Sequence, residues 1–244
     1  MTVTSHSDSL ERIVPELLEA GEATGAETLR LHLERYRFAG QHLPDGLVLD
    51  LACGVGYGSA LLAANHPGRH VIGADLSSSA LQHARASYHR PGIQFLRGDG
   101  AAWLRPRSVD GAASLETLEH VSDPATLFAG LVSALRPQGI LVASVPVTPS
   151  VDANPHHLTD FTAPEFLALG HRHGLIALAQ LEQRQAYSPV AVLARRERRT
   201  RDLRRGLLGY YLRHPAALRR RLFALARFGF ANQYLTVAWR KVDG

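Results

Sequence analysis

The chain has 244 residues, 45% apolar and 20% charged, which excludes a disordered or fibrous polypeptide and allows a sizeable core. One cysteine excludes an internal disulfide framework and fits a reducing compartment; with no leader pattern at the polar N-terminus and no apolar run of about 18 residues, the cytoplasm is the expected location. The net charge of +5 is unevenly placed: residues 195–228 hold twelve arginines against Glu197 and Asp202, a local +10 that leaves the other 210 residues at −5, so a general nucleic-acid surface is not expected.

Residues 9–20 and 25–42 read as helices, the second amphipathic through Leu29, Leu33, Tyr36 and His42. The apolar run Leu47-Val48-Leu49-Asp50-Leu51 reads as a buried parallel strand over 47–52, with a helix at about 57–65. A second strand covers 70–75, and Ser77, Ser78 and Ser79 offer N-caps for a helix reaching about residue 88. The third strand is 93–97 and ends at Gly98-Asp99-Gly100; the fourth is about 111–115, with a helix over 124–135 behind it. Arg136-Pro137-Gln138-Gly139 reads as a turn into a fifth strand, 140–145. A loop rich in proline and histidine, 146–162, leads to a helix opened by Thr162-Ala163-Pro164-Glu165 and running to about 173. Strands at about 175–182 and 233–239 follow, with the arginine-rich segment between them. Alternating strands and helices call for an α/β fold with a parallel sheet and right-handed crossovers.

The segment Asp50-Leu51-Ala52-Cys53-Gly54-Val55-Gly56-Tyr57-Gly58 carries the most chemistry. Glycine allows sharp turning and lets a ligand touch backbone. Asp75 stands at the tip of the next strand, twenty-one residues after Gly54, where a carboxylate can accept both hydroxyls of a ribose. A nucleoside across the carboxyl ends of a parallel sheet is implied. The spacing is G-x-G-x-G rather than the G-x-G-x-x-G of dinucleotide sites, and Asp50 is awkward beside a pyrophosphate but suits a cationic amino-acid tail. S-adenosylmethionine has that charge; a nicotinamide cofactor is the alternative.

Further motifs bear on this choice. Glu116-Thr117-Leu118-Glu119-His120 follows the fourth strand, Asn154-Pro155-His156-His157-Leu158-Thr159-Asp160-Phe161-Thr162 follows the fifth, and Arg35-Tyr36-Arg37-Phe38-Ala39 precedes the first. With these the chain resembles the class I S-adenosylmethionine-dependent methyltransferases over roughly 30–185 and 233–241. It is most similar to a bacterial subgroup with E-x-x-E-H and N-P-x-H-x-x-[ED]-F motifs, many of whose members methylate sugars of glycans or natural products. Val147 departs from the asparagine often found there. The resemblance implies a Rossmann-like, doubly wound, seven-stranded, mostly parallel sheet with an antiparallel last strand. Within one methyltransferase domain it places N-terminal helices at 1–45, the cofactor core at 46–183, a basic helical insertion at 186–232 and the last strand at 233–241.

The expected cofactor-binding set is Asp50, Ala52, Gly54, Gly56, Asp75, Leu76, Asp99, Gly100, Ala101 and Glu116. Asp50 would meet the methionine ammonium, and Gly54 and Gly56 would allow close approach. By resemblance Asp99 would accept from the adenine amino group, with a backbone N–H from Gly100 or Ala101. His120 and His157 are the candidate bases, with Glu119 or Asp160 as orienting carboxylate; the competing readings are a helix-start contact for His120 and a loop anchor for His157. His156 is taken as incidental and no metal is expected. Cys53 reads as small-residue packing beneath the cofactor, not as a nucleophile. The arginine-rich segment reads as a solvated helical hairpin, as a peripheral membrane contact through 195–228, or as a clamp for a phosphorylated acceptor. The expected reaction is O-methylation of a sugar, glycoside or natural product, with N-methylation or a non-catalytic cofactor-binding subunit as alternatives.

Overall fold

The computed structural model describes residues 15, 23–64, 66–99, 104–188, 190, 204 and 206–242. The helix expected over 9–20 lies outside the described residues, apart from Pro15. In chain order the elements are α1 (Ala23–His42), β1 (Gly46–Leu51), α2 (Tyr57–Ala63), β2 (Arg69–Asp75), α3 (Ser78–Tyr88), β3 (Ile93–Arg97), β4 (Val109–Leu115), a 3-10 turn (Leu118–His120), α4 (Pro124–Ala134), β5 (Leu135–Pro146), α5 (Ala163–Arg172), β6 (Leu175–Ala186), α6 (Leu207–Arg213), α7 (Pro215–Phe228) and β7 (Ala231–Lys241).

The strands form one sheet in the order β3-β2-β1-β4-β5-β7-β6, with β7 antiparallel to both neighbours. Strand order reverses between β1 and β4, so the carboxyl ends of these two strands open a crevice, the place where such sheets bind ligands. Alternation along the central strands sorts side chains onto two faces. Leu49, Leu51, Leu141, Ala143, Val237 and Trp239 pack with α4 and α5 through Phe128, Leu131 and Phe166. Val48, Val71, Ala113, Val142 and Ala238 meet Tyr36, Ala39 and Leu62 on the other face. Burial on both sides is why β1 and β5 read as near-continuous apolar runs.

Local chemistry closes the elements where the sequence indicates. Ser77 Oγ accepts from the Ala80 N–H at 3.3 Å to cap α3. Thr162 and Glu165 form a reciprocal capping box at the start of α5. Arg69, buried, donates to the carbonyls of Gly40, Leu43 and Pro44 at the end of α1 and of Leu62 near the end of α2, tying both helix ends to β2.

Two boundaries differ from expectation. The turn expected at Arg136-Pro137-Gln138-Gly139 is part of β5, which already pairs at Leu135 with Val109 and bulges, with Gln138 at φ 62°. β6 extends to Ala186 because Gln183 donates to the Leu31 carbonyl at 3.2 Å and Gln185 to Thr28 Oγ1 at 2.8 Å, tying a polar edge strand to α1. Among the described residues no helix is long and apolar enough to cross a membrane.

Candidate active site

β1 delivers the chain into the loop from Ala52 to Gly56, where Ala52, Gly54 and Gly56 take positive φ values of 61°, 56° and 90°. Ala52 pays a steric cost of about 1–2 kcal/mol for that conformation, and Glu116, just past β4, shares it at φ 51°. Two adjacent strands therefore end on left-handed residues that are not glycine, at the switch point. The glycines divide by task. A Cβ on Gly54 would enter open space, whereas one on Gly56 would lie 2.7 Å from Ala84 and one on Gly58 1.9 Å from the Tyr36 ring. Gly54 keeps the crevice clear; Gly56 and Gly58 let α2 pack against α3, β3 and α1. The close approach expected of Gly56 is thus toward protein atoms.

Asp75, 6% exposed, accepts from the Gly54 N–H at 2.9 Å through one oxygen and from the Ser77 N–H at 2.8 Å through the other. A carboxylate has about four lone-pair directions. Asp75 can hold the loop and still receive a ribose diol. Leu76 beside it is 65% exposed, an apolar shelf at the crevice. Asp99 is exposed beyond β3. Gly100 and Ala101 lie outside the described residues.

Asp50 lies beneath the loop, fully buried, accepting from Ser59 Oγ at 2.6 Å and from the Tyr36 hydroxyl at 3.3 Å. Burial pushes its carboxyl up to about 7, against the lowering effect of those two hydrogen bonds. Glu116 Oε1 accepts from Ser144 Oγ at 3.0 Å, and its Oε2 is 3.9 Å from the Arg35 guanidinium, which stacks 4.3 Å over the Tyr234 ring. Arg35 is buried, and its Nε has no hydrogen-bond partner among the described residues. Nothing along the chain assigns Arg35 or Tyr36 a carboxylate partner, because Glu116 and Asp50 lie on other elements. Asp75 and Glu116 border the crevice with one arginine, and Asp50 adds a third carboxyl out of reach beneath the loop; this balance suits a ligand that brings positive charge, and the open space at Gly54 gives it room. The residues present fit S-adenosylmethionine. Cys53 is buried, and burial pushes its thiol well above the ordinary range, the setting of a packing side chain.

The two candidate histidines stand at the same carboxyl end of the sheet. His120 ends the 3-10 turn after β4, and His157 comes from the loop after β5; their rings meet edge to face at 4.7 Å. His120 Nδ1 lies 3.2 Å from the His156 carbonyl, which fixes that nitrogen as the donor. His157 Nδ1 lies 2.6 Å from Ser150 Oγ, and Ser150 Oγ is 3.3 Å from Asp160. Asp160 therefore reaches His157 through a serine rather than directly. The two halves are pinned together where the Leu158 and Thr159 N–H groups donate to the Glu119 carbonyl at 2.7 and 3.2 Å. His156 is exposed and contributes its carbonyl only.

The described part of the basic segment, residues 204 and 206–228, straps this loop down; the rest of 195–228 lies outside the described residues. Asp152, 2% exposed, accepts from Tyr211 at 2.6 Å and from Arg221 Nε at 2.8 Å, and Arg221 Nη2 also reaches the Pro149 carbonyl at 2.7 Å. Arg204 donates to the Asp152 and Val151 carbonyls at 3.1 and 3.2 Å. Burial alone would raise the Asp152 carboxyl, but Arg221 and Tyr211 bring it below the ordinary range.

A methyltransferase-domain family model matches residues 49–143, the span from β1 to β5. A trans-aconitate 2-methyltransferase of Rhizobium meliloti is 34% identical over 123 residues, 50% of this chain and 46% of that one. A protein of Mycolicibacterium smegmatis described as a probable S-adenosylmethionine-dependent methyltransferase is 31% identical over 166 residues, 65% of this chain and 61% of its own. With 38% for a Methylobacterium radiotolerans trans-aconitate 2-methyltransferase, the chain spans about two-fifths to three-fifths of the curated relatives it matches. Among solved structures, a Burkholderia thailandensis 1,6-didemethyltoxoflavin-N1-methyltransferase with bound S-adenosylhomocysteine superposes with a TM-score of 0.56 at 18% identity, over 91% of this chain and 80% of that one. The [4+2]-cyclase SpnF superposes at 0.61 and 20% identity, over 93% and 86%. At such identities these two speak for the fold alone. The family match and the fit of the crevice point the same way: residues 49–143 are similar to a methyltransferase domain, and the residues lining the crevice suit S-adenosylmethionine.

Proposed function

We propose that this protein methylates a hydroxyl group of a small acceptor, a sugar, a glycoside or a related natural product. The observation that carries this reading is the meeting of His120 and His157 with Glu119 at the cofactor's edge of the sheet. When bound, S-adenosylmethionine supplies an electrophilic methyl carbon. Asp75 and Gly54 hold the ribose end, and Glu116, steadied by Ser144 and Arg35, borders the amino-acid tail. Asp50 lends its charge from below the loop. Orienting two reactants contributes on the order of 7–11 kcal/mol in favourable cases. The histidine cluster then promotes loss of the acceptor's proton as the new bond forms.

N-methylation of an amine asks less of such a cluster. The curated relatives' name points to a carboxylate acceptor, the rival that the substrate panel must separate; Arg204 and Arg221 are engaged by the loop. The test is turnover on a panel of glycosides, amines and trans-aconitate, with His120→Ala and His157→Ala. A hydroxyl acceptor predicts a kcat loss of about 10²–10⁴ for one of them; modest losses with an amine substrate overturn the hydroxyl assignment. A sample that binds S-adenosylhomocysteine but methylates nothing on the panel favours a cofactor-binding subunit.

We also propose that the α6–α7 hairpin rests on an anionic membrane surface. α7 buries Ala217 and Ala224, while Leu208, Leu212, Leu222 and Phe223 are exposed beside Arg213, Arg219, Arg220 and Arg227. Co-sedimentation with phosphatidylglycerol vesicles but not phosphatidylcholine vesicles is expected; equal recovery in both supernatants removes this reading.

A further inference from the structure

We infer that Glu119, His120 and His157 form a divalent-metal site whose open coordination position takes the acceptor hydroxyl; this deepens, and rests on, the O-methylation reading above. Among the described residues these three are a group in which one ligand atom from each lies within 4.8 Å of the others. The expectation of no metal came from spacing, and spacing could not show it: Glu119 and His120 are adjacent, but His157 arrives from a loop thirty-seven residues after His120.

The surroundings are those of a supported ligand set. Metal-ligating histidines anchor their other ring nitrogen on a carbonyl, a carboxylate or a similar group, which sets the tautomer and the ring plane. Both imidazoles do so through Nδ1, His120 on the His156 carbonyl and His157 on Ser150, which leads on to Asp160. Nε2 is then the coordinating atom of each. Glu119 supplies the anionic ligand from the protein interior, and its carbonyl ties down the segment that carries His157. One carboxylate and two imidazoles are the donor set of zinc, manganese, iron(II) or cobalt sites that keep positions open for a substrate. A tetrahedral ion with bonds of about 2.1 Å sets its donors roughly 3.4 Å apart, inside the 4.8 Å limit within which a ligand atom of each residue already lies, so the side chains need only close on the ion.

Coordination replaces an imidazole base as the source of acidity. Water bound to such an ion loses its proton near pH 7 rather than about 15.7, and a bound hydroxyl is acidified by the same charge. In the transfer the oxygen–methyl bond forms, the sulfur–methyl bond breaks with its electron pair left on sulfur, and the hydroxyl proton passes to bulk water. Electrons and atoms balance without a redox change.

The test is a titration of EDTA-stripped protein with Co²⁺, Mn²⁺ and Zn²⁺ in the presence of S-adenosylhomocysteine, with cobalt absorption as the readout. Saturable uptake of one Co²⁺ per chain is expected, weakened about tenfold or more in Glu119→Gln and His157→Ala, and unchanged in His156→Ala. S-adenosylhomocysteine binding by calorimetry on the same samples reports folding; should Glu119→Gln lose it, His157→Ala on the half-buried loop carries the comparison. Wild-type protein that binds S-adenosylhomocysteine but takes up no metal overturns the site and leaves methyl transfer standing. Uptake that survives in the folded variants overturns it as well. Absence of S-adenosylhomocysteine binding in wild-type protein removes the methyl-transfer reading, and with it the role assigned to the cation.

Discussion

The Tyr36 hydroxyl donates to Asp50 at 3.3 Å, and the residue before it, Arg35, sets its guanidinium 3.9 Å from Glu116. Two consecutive residues of one helix thus reach carboxylates on β1 and just past β4, one on each side of the switch point. α1 braces the carboxylates at the switch point although no residue of it lies on a strand end. Its register is secured at the far side by Gln183 and Gln185 of β6.

Asp50 makes stability depend on pH in a direction opposite to most carboxylates. Its folded carboxyl, pushed by burial up to about 7, is harder to ionise than in the unfolded chain. Its contribution is therefore full below about pH 4 and is lost as pH rises through about 7. Denaturant titrations from pH 5 to 8 should show Asp50→Asn gaining on the wild type, by up to about 4 kcal/mol at the upper end; parallel curves would contradict a raised carboxyl.

The same group ties ligand binding to protons. A cationic tail in the crevice favours ionised Asp50, so S-adenosylmethionine binding near pH 7 should release a proton. Calorimetry in buffers of different ionisation enthalpy measures that release directly. It should vanish in Asp50→Asn, and equal heats across buffers in the wild type would rule the coupling out.

The glycine loop allows a paired comparison. Gly58→Ala forces a Cβ to within 1.9 Å of the Tyr36 ring and should cost about 1–3 kcal/mol of folding stability. Gly54→Ala has open space and meets only the strain of its φ of 56°, about 1–2 kcal/mol. Its larger effect should appear in calorimetry as weakened S-adenosylhomocysteine binding. If Gly54→Ala binds like the wild type, the crevice does not run over that residue.

Arg221→Ala leaves Asp152 buried without its main counter-charge, a loss worth about 3–5 kcal/mol when fully buried and less here. The strain falls on the loop bearing His157, not on the glycine loop. Amide hydrogen exchange should quicken across residues 149–160 while S-adenosylhomocysteine affinity holds. Exchange confined to α7 would show that the hairpin does not brace the loop.

Sequence alone determined whatever depends on neighbours along the chain. The alternating strands and helices, the Ser77 cap, the Thr162 capping box and the pair Gly54 and Asp75 were all legible, because strand burial, caps and turns act over a few residues. The continuation of β6 was not, since Gln183 and Gln185 are stabilised by α1, some 150 residues away in the chain. The bulge at residues 136–139 reads as a turn until Leu135 is seen paired with Val109. Tertiary structure alone separated Gly54 from Gly56, because only the packing of Ala84 and Phe95 distinguishes a glycine facing open space from one facing protein. It also brought His157 to Glu119 and His120. Convergence of distant side chains is set by the path of the chain in space, and local spacing carries no record of that path.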